Sequence, residues 1–145
     1  MKKILHILNR KGTNVLSIEP QLTVHDALLI MSDKNIGSLV VAEGTKYHGI
    51  VTERDYARKV MLKGKNSADT SVAEIMTTDF PILTEDDSVE KCMQLMTENN
   101  LRYLPVMRAD QIVGLISIMD VVQETILSQQ DTISELHKYI SGSSY

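Results

Sequence analysis

Two stretches of this chain end in a hydroxyl residue followed three positions later by an aspartate. They are Gly49-Ile50-Val51-Thr52-Glu53-Arg54-Asp55 and Gly114-Leu115-Ile116-Ser117-Ile118-Met119-Asp120. Each sets a hydroxyl at the end of an apolar, strand-like run and a short carboxylate in the first turn of the segment that follows. Such a carboxylate can accept hydrogen bonds from both hydroxyls of a ribose at once. The Thr or Ser oxygen reaches the sugar or a phosphate, and a helix N-terminus at that point favours a phosphate. The chemistry this suits is non-covalent capture of a nucleoside monophosphate. The same spacing has a local use as well: Ser or Thr with an acid three residues on is a capping box, which satisfies free helix N–H groups. Two features favour a ligand in addition to the cap. The motif recurs in the same register behind a glycine, and the acid is Asp both times although Glu would cap equally well.

The remaining reactive side chains point to no catalytic chemistry. Cys92 falls on the apolar face of a helix, as a buried structural thiol does. His6, His25, His48 and His137 have no ligand spacing and no Cys or acid cluster, so no metal site is expected. No Ser-His-Asp or Cys-His arrangement can be assembled from these residues, and the chain reads as a non-enzyme. The eight methionines fall mostly on helix faces and read as core.

An internal repeat must position the two motifs. Residues 15–55 lie over residues 80–120 without a gap, an offset of 65. Met31 meets Met96, Asn35 meets Asn100, Leu39 and Val41 meet Leu104 and Val106, and Asp55 meets Asp120. Each copy reads as a short extended piece (Val15–Ile18; Pro81–Leu83), then an amphipathic helix capped by Thr23 or Ser88 and ending near Asn35 or Asn99-Asn100. A hairpin follows, Ser38–Ala42 with Tyr47–Thr52 and Tyr103–Met107 with Gln111–Ser117. A second helix starts at Glu53 or Ile118. A unit of about 60 residues has a marginal core of its own, so the exposed faces of the two sheets should pack together and leave a cleft between the halves. Lys63–Asp69 reads as a linker, and Ser71-Val72-Ala73-Glu74 as a short capped helix like the segment ahead of the first copy. The last helix, from Ile118 to about Ile140, is longer than its counterpart. Its Val122, Ile126, Ile133, Leu136 and Ile140 approximate a heptad seam and suggest a dimer contact.

The bulk numbers agree with a globular module of one-domain size. The chain has 145 residues, 43% hydrophobic and 23% charged, with one cysteine and a net charge of −4. This balance gives no broad footprint for nucleic acid, and the few aromatics give no stacking platform. No apolar run is long enough for a membrane span. The start, Met1–Leu8, is too short and too interrupted by His6 for a signal peptide, which leads to the expectation of a cytoplasmic protein.

The Gly-hydrophobic-hydrophobic-Thr/Ser-x-x-Asp endings, Leu101-Arg102-Tyr103-Leu104-Pro105-Val106 and Glu74-Ile75-Met76-Thr77 together resemble a tandem CBS-domain pair (a Bateman module), over about residues 4–123. The resemblance implies an α+β fold of two tandem β-α-β-β-α repeats packed as a pseudo-two-fold pair, divided as 1–70 and 71–145. It implies a regulatory module that binds AMP, ADP or ATP in the cleft, with Asp55 and Asp120 on the ribose and Thr52 and Ser117 beside them. Backbone around Gly37-Ser38 and Arg102-Tyr103 would frame the adenine. Arg54 and Arg102 are the candidate phosphate ligands, each present in one copy only, which suggests two unequal sites; Lys11 is a weaker candidate. Stand-alone modules of this size resemble members that dimerise into a four-repeat disc, and an effector protein would read the state of the homodimer. NAD(H) across the same cleft, and a ligand-free interaction module, are the alternatives.

Overall fold

The computed structural model describes residues 2–143. Its elements are α1 (Ile4–Lys11), β1 (Ser17–Ile18), α2 (Val24–Lys34), β2 (Ser38–Glu43), β3 (Lys46–Thr52), α3 (Glu53–Tyr56), α4 (Val72–Ile75), α5 (Val89–Asn99), β4 (Tyr103–Arg108), β5 (Gln111–Ser117) and α6 (Ile118–Ser143). Capping explains the helix ends. Thr23 Oγ1 accepts the Asp26 N–H at 3.1 Å, and Ser88 Oγ accepts the Lys91 N–H at 3.0 Å. Both helices stop on an asparagine in the left-handed region, Asn35 at φ 55° and Asn100 at φ 52°, where the short amide side chain makes that conformation tolerable.

The cores of the two repeats use equivalent positions. Ile18, Val24, Ala27, Met31, Leu39, Val41 and Val51 are buried in the first. Their partners at the same offset, Leu83, Val89, Cys92, Met96, Leu104, Val106 and Ile116, are buried in the second. Each hairpin is irregular at the same place, between Val41 and Ala42 and between Val106 and Met107. Burial pushes the Cys92 thiol up to about 12. The folded state therefore keeps it protonated, and its contribution to stability is fully present below the unfolded value, about 9, and lost as pH rises towards 12. Native protein should react with a disulfide reagent orders of magnitude more slowly than protein in denaturant. Equal rates would mean that α5 does not stay docked.

The structure differs from the sequence-based expectation in three places. The hairpins join through a Lys46–Gln111 bridge, reinforced by the Ile112 N–H donating to the Thr45 carbonyl at 2.9 Å, into one sheet of order β1-β2-β3-β5-β4. The opposed faces meet in a small third cluster, Val40, Ala42, Met107 and Ile112. The extended piece of the second copy is only a Leu83–Val106 bridge. The closing helix of the first copy changes after Tyr56 into a π-helical turn, Ala57–Met61, with the Leu62 N–H bonded back to the Ala57 carbonyl at 3.0 Å.

The segments ahead of each repeat are exchanged. Ile4, Ile7 and Leu8 of α1 are buried in the core of the second repeat, and Val72 and Ile75 of α4 in that of the first. This explains the glycine before each motif. A Cβ on Gly49 would lie 2.6 Å from the Thr77 carbonyl oxygen, and one on Gly114 would lie 2.5 Å from a methyl of Leu8. Gly49→Ala is expected to cost about 1–3 kcal/mol in urea unfolding, because backbone cannot yield. Gly114→Ala should cost less, since Leu8 can change rotamer. The reverse order would show that the contact with Thr77 is unimportant.

Candidate functional site

Thr52 closes β3 and Asp55 lies in the first turn of α3, so their side chains lock together. The Asp55 N–H donates to Thr52 Oγ1 at 3.0 Å, while the Thr52 N–H and hydroxyl donate to Asp55 Oδ2 at 2.9 and 3.0 Å. The other oxygen, Oδ1, accepts from the Thr77 hydroxyl and faces the Lys59 ammonium, each at 3.0 Å. Lys59 also donates to the Ile75 carbonyl at 2.8 Å. At 7% exposure, Asp55 needs these partners, since a buried charge without them is costly.

The second motif is built the same way with its cation brought from elsewhere. The Ser117 N–H donates to Asp120 Oδ2 at 2.8 Å, and the Asp120 N–H donates to Ser117 Oγ at 3.1 Å. Lys11, at the end of α1, places Nζ 2.6 Å from Asp120 Oδ2 and 2.8 Å from the Leu115 carbonyl. The position equivalent to Lys59 is Glu124, which is 3% exposed and ion-paired with Arg10. Both motifs are therefore capping boxes and also ion-paired carboxylates, with one lysine each.

A cavity of about 620 Å³ opens on the Asp55 corner, within the range of about 300–1,000 Å³ usual for small-molecule sites. It gathers Gly37, Ser38, Thr52, Arg54 and Asp55 from the first repeat with Arg102 and Tyr103 from the second. Ser117 and Asp120 do not line it. The carbonyls of Gly37 and Arg102 occupy matching places, accepting the first N–H of α3 at 3.0 Å and of α6 at 2.9 Å. Lys11, the weaker candidate, stands at Asp120 and not at this cavity.

Arg58, Lys59, Thr77 and Phe80, which the motifs do not mark as site residues, also line the cavity. Arg58 and Lys59 lie on the π-helical turn, a feature often found at functional sites. The signal for Lys59 was its place four residues after Asp55. For Phe80, the only phenylalanine, it was a lone aromatic at the head of the second repeat. Arg54, Arg58, Lys59 and Arg102 outnumber Glu53, Asp55 and Asp79 on the walls, so the cavity suits an anion. Both partners of Oδ1, Thr77 and Lys59, are side-chain groups, whereas Oδ2 is held by the backbone N–H and the hydroxyl of Thr52.

The CBS-domain family model matches this sequence twice, over residues 6–62 and 72–127. CBSX3, a mitochondrial CBS domain-containing protein of Arabidopsis thaliana, is 38% identical over 125 residues, which cover 83% of this chain and 61% of that protein. A protein with CBS domains from Burkholderia ambifaria has a solved structure 41% identical in sequence, with a TM-score of 0.80, covering 88% of this chain and 96% of that one. The structure of CBSX2 in complex with AMP shares the fold at 18% identity, with a TM-score of 0.74 over 89% of this chain and 99% of that one. Among the described residues no helix is long and apolar enough to cross a membrane.

Proposed function

We propose the following role for a chain that belongs to the CBS-domain family: it is a regulatory module that binds an adenine nucleotide at the Asp55 corner and passes its occupancy to a partner protein. The observation that carries this is the convergence of Thr52 and Asp55 with Arg54, Arg58, Lys59 and Arg102 around one cavity bounded by Phe80 and Tyr103. Asp55 takes the ribose, the guanidinium groups fork onto phosphate oxygens, and the aromatic walls flank the base. The AMP complex of CBSX2 supports the ligand class, since it places an adenine nucleotide on the same fold. Ser117 and Asp120 form the second, weaker position, where Met119 stands in place of Arg54.

Two copies associate, in this reading, and the ligand acts by favouring one arrangement of the repeats. It can do so only through different affinity for the two arrangements. Pairing has a surface on both repeats: Met61 and Leu62 are 64% and 78% exposed, and their equivalents at the 65-residue offset, Ile126 and Leu127, are 48% and 36% exposed.

Calorimetric titration of the full chain with AMP, ADP, ATP and NADH tests the ligand. Saturable binding of a mononucleotide is the expected result. Displacement of AMP by much tighter NADH would make the ligand a dinucleotide, and folded protein that binds none of the four would be a ligand-free interaction module.

A further inference from the structure

Past the end of the second family match at residue 127, α6 continues to Ser143. Every residue from Gln129 to Lys138 is exposed. A helical stretch of this length that is not rich in alanine is marginal in water without a partner. Along the whole helix one stripe repeats at spacings of three and four: Met119, Val122, Ile126, Gln129, Ile133 and Leu136, with Ile140 next in register. Met119, Val122, Ile126, Ile133 and Leu136 are 68%, 43%, 48%, 65% and 56% exposed. The residues that anchor α6 to its own repeat, Val121 and Glu124, lie off this stripe.

We infer that this stripe is the seam of a two-stranded, parallel, in-register coiled coil with α6 of a second copy of the chain. The inference rests on the pairing of two copies proposed above and specifies its geometry; it does not rest on the nucleotide. Three observations select this occupant. First, Ile126 and Ile133 fall at a positions and Leu136 at d, and β-branched residues at a with leucine at d favour two parallel strands. Second, the residues flanking the seam at Gln123, Thr125, Gln130 and Thr132 have no ionisable side chain, whereas Asp131, Glu135 and Lys138 all lie on the outer face. Two identical helices therefore meet without like-charge repulsion. Third, Gln129 interrupts the apolar seam at one d position. In a parallel pair it meets its own copy, and the two amides can donate and accept. In an antiparallel pair a layers face d layers, so Gln129 would meet Ile126 or Ile133 and lose its partner. A groove of about 440 Å³ runs along one side of the seam, between α6 and α5, with Val89, Met93, Thr125, Gln129, Thr132 and Ile133 in its lining.

Sedimentation equilibrium of the full chain is expected to give twice the mass of one 16.3 kDa chain. Ile133→Asp should raise the dimer dissociation constant by at least 100-fold, whereas Ser134→Asp, on the outer face of the same turn, should leave it unchanged. Leu136→Cys should form a disulfide-linked dimer under mild oxidation, with the parent chain, whose one cysteine is buried, as the control. A monomeric parent overturns both the pairing and the seam. A dimer indifferent to Ile133→Asp overturns the seam alone. A dimer whose Leu136→Cys variant does not cross-link overturns the parallel register, and a trimer or larger assembly overturns the two-stranded form.

Discussion

Removing residues 2–11 is expected to unfold the second repeat, although those residues precede the first. Ile4 and Ile7 are 0% exposed and Leu8 is 2% exposed, all in the cluster built on Leu104, Val106 and Ile116. Truncating one buried aliphatic side chain to alanine costs about 2–5 kcal/mol. Losing all three approaches the whole stability of a domain, about 5–15 kcal/mol. Two further ties would go with them, the Arg10–Glu124 and Lys11–Asp120 ion pairs. The first repeat keeps its own borrowed helix, α4, whose Val72 and Ile75 complete its core. The milder Ile7→Ala variant reports the same architecture while it remains folded. Hydrogen exchange should then lose protection in α5, β4 and β5 before α2, β2 and β3. Equal loss in both repeats, or earlier loss in the first, would show that α1 is not part of the second core.

Asp55→Asn is expected to weaken adenine-nucleotide binding by about 100-fold or more while leaving the fold in place. A hydrogen bond to a charged group is worth about 1.5–3 kcal/mol, and two ribose hydroxyls lose that charge together, which sets about 100-fold as the lower end. The carboxamide oxygen can still accept from Thr52, so the cap at the start of α3 survives, as it would not in an alanine variant. The loss should be the same for AMP, ADP and ATP, because all three present the same ribose. Arg102→Gln should behave differently, with a penalty that grows with the number of phosphates. Titration of both variants with the three nucleotides separates these roles. Unchanged affinity in Asp55→Asn would reduce the motif to a helix cap, and a penalty in Arg102→Gln that ignores phosphate number would move Arg102 off the phosphate.

Most of the framework was legible in the chain itself because it is written in consecutive residues. The caps at Thr23 and Ser88, the asparagines that end α2 and α5, and the hairpin strands all follow from local hydrogen bonding and from side-chain periods of 3.6 and 2. Repetition at an offset of 65 doubles every signal, so the matched core of Val24 with Val89, Met31 with Met96 and Leu39 with Leu104 is visible in the sequence. The candidate site was legible in part. Thr52, Asp55, Arg54 and Arg102 were singled out from motif and charge, and the structure places them on one cavity with Gly37, Ser38 and Tyr103.

Tertiary structure alone decided which parts of the chain meet. Nothing local in Ile4–Lys11 says that this helix will cross to the second repeat, because an apolar stripe of Ile4, Ile7 and Leu8 does not by itself name the core that buries it. The same holds for the partners of the two carboxylates. Thr77 and Lys59 reach Asp55, and Lys11 reaches Asp120 across 109 positions, through contacts that exist only once the halves are docked. The single sheet likewise depends on Lys46 meeting Gln111. The repeat, its elements and the two carboxylate motifs can be read along the chain, since each is encoded within a few neighbouring residues. Docking decided the exchanged helices, the cation given to each aspartate and the cavity, since these depend on distances between residues that the chain order does not constrain.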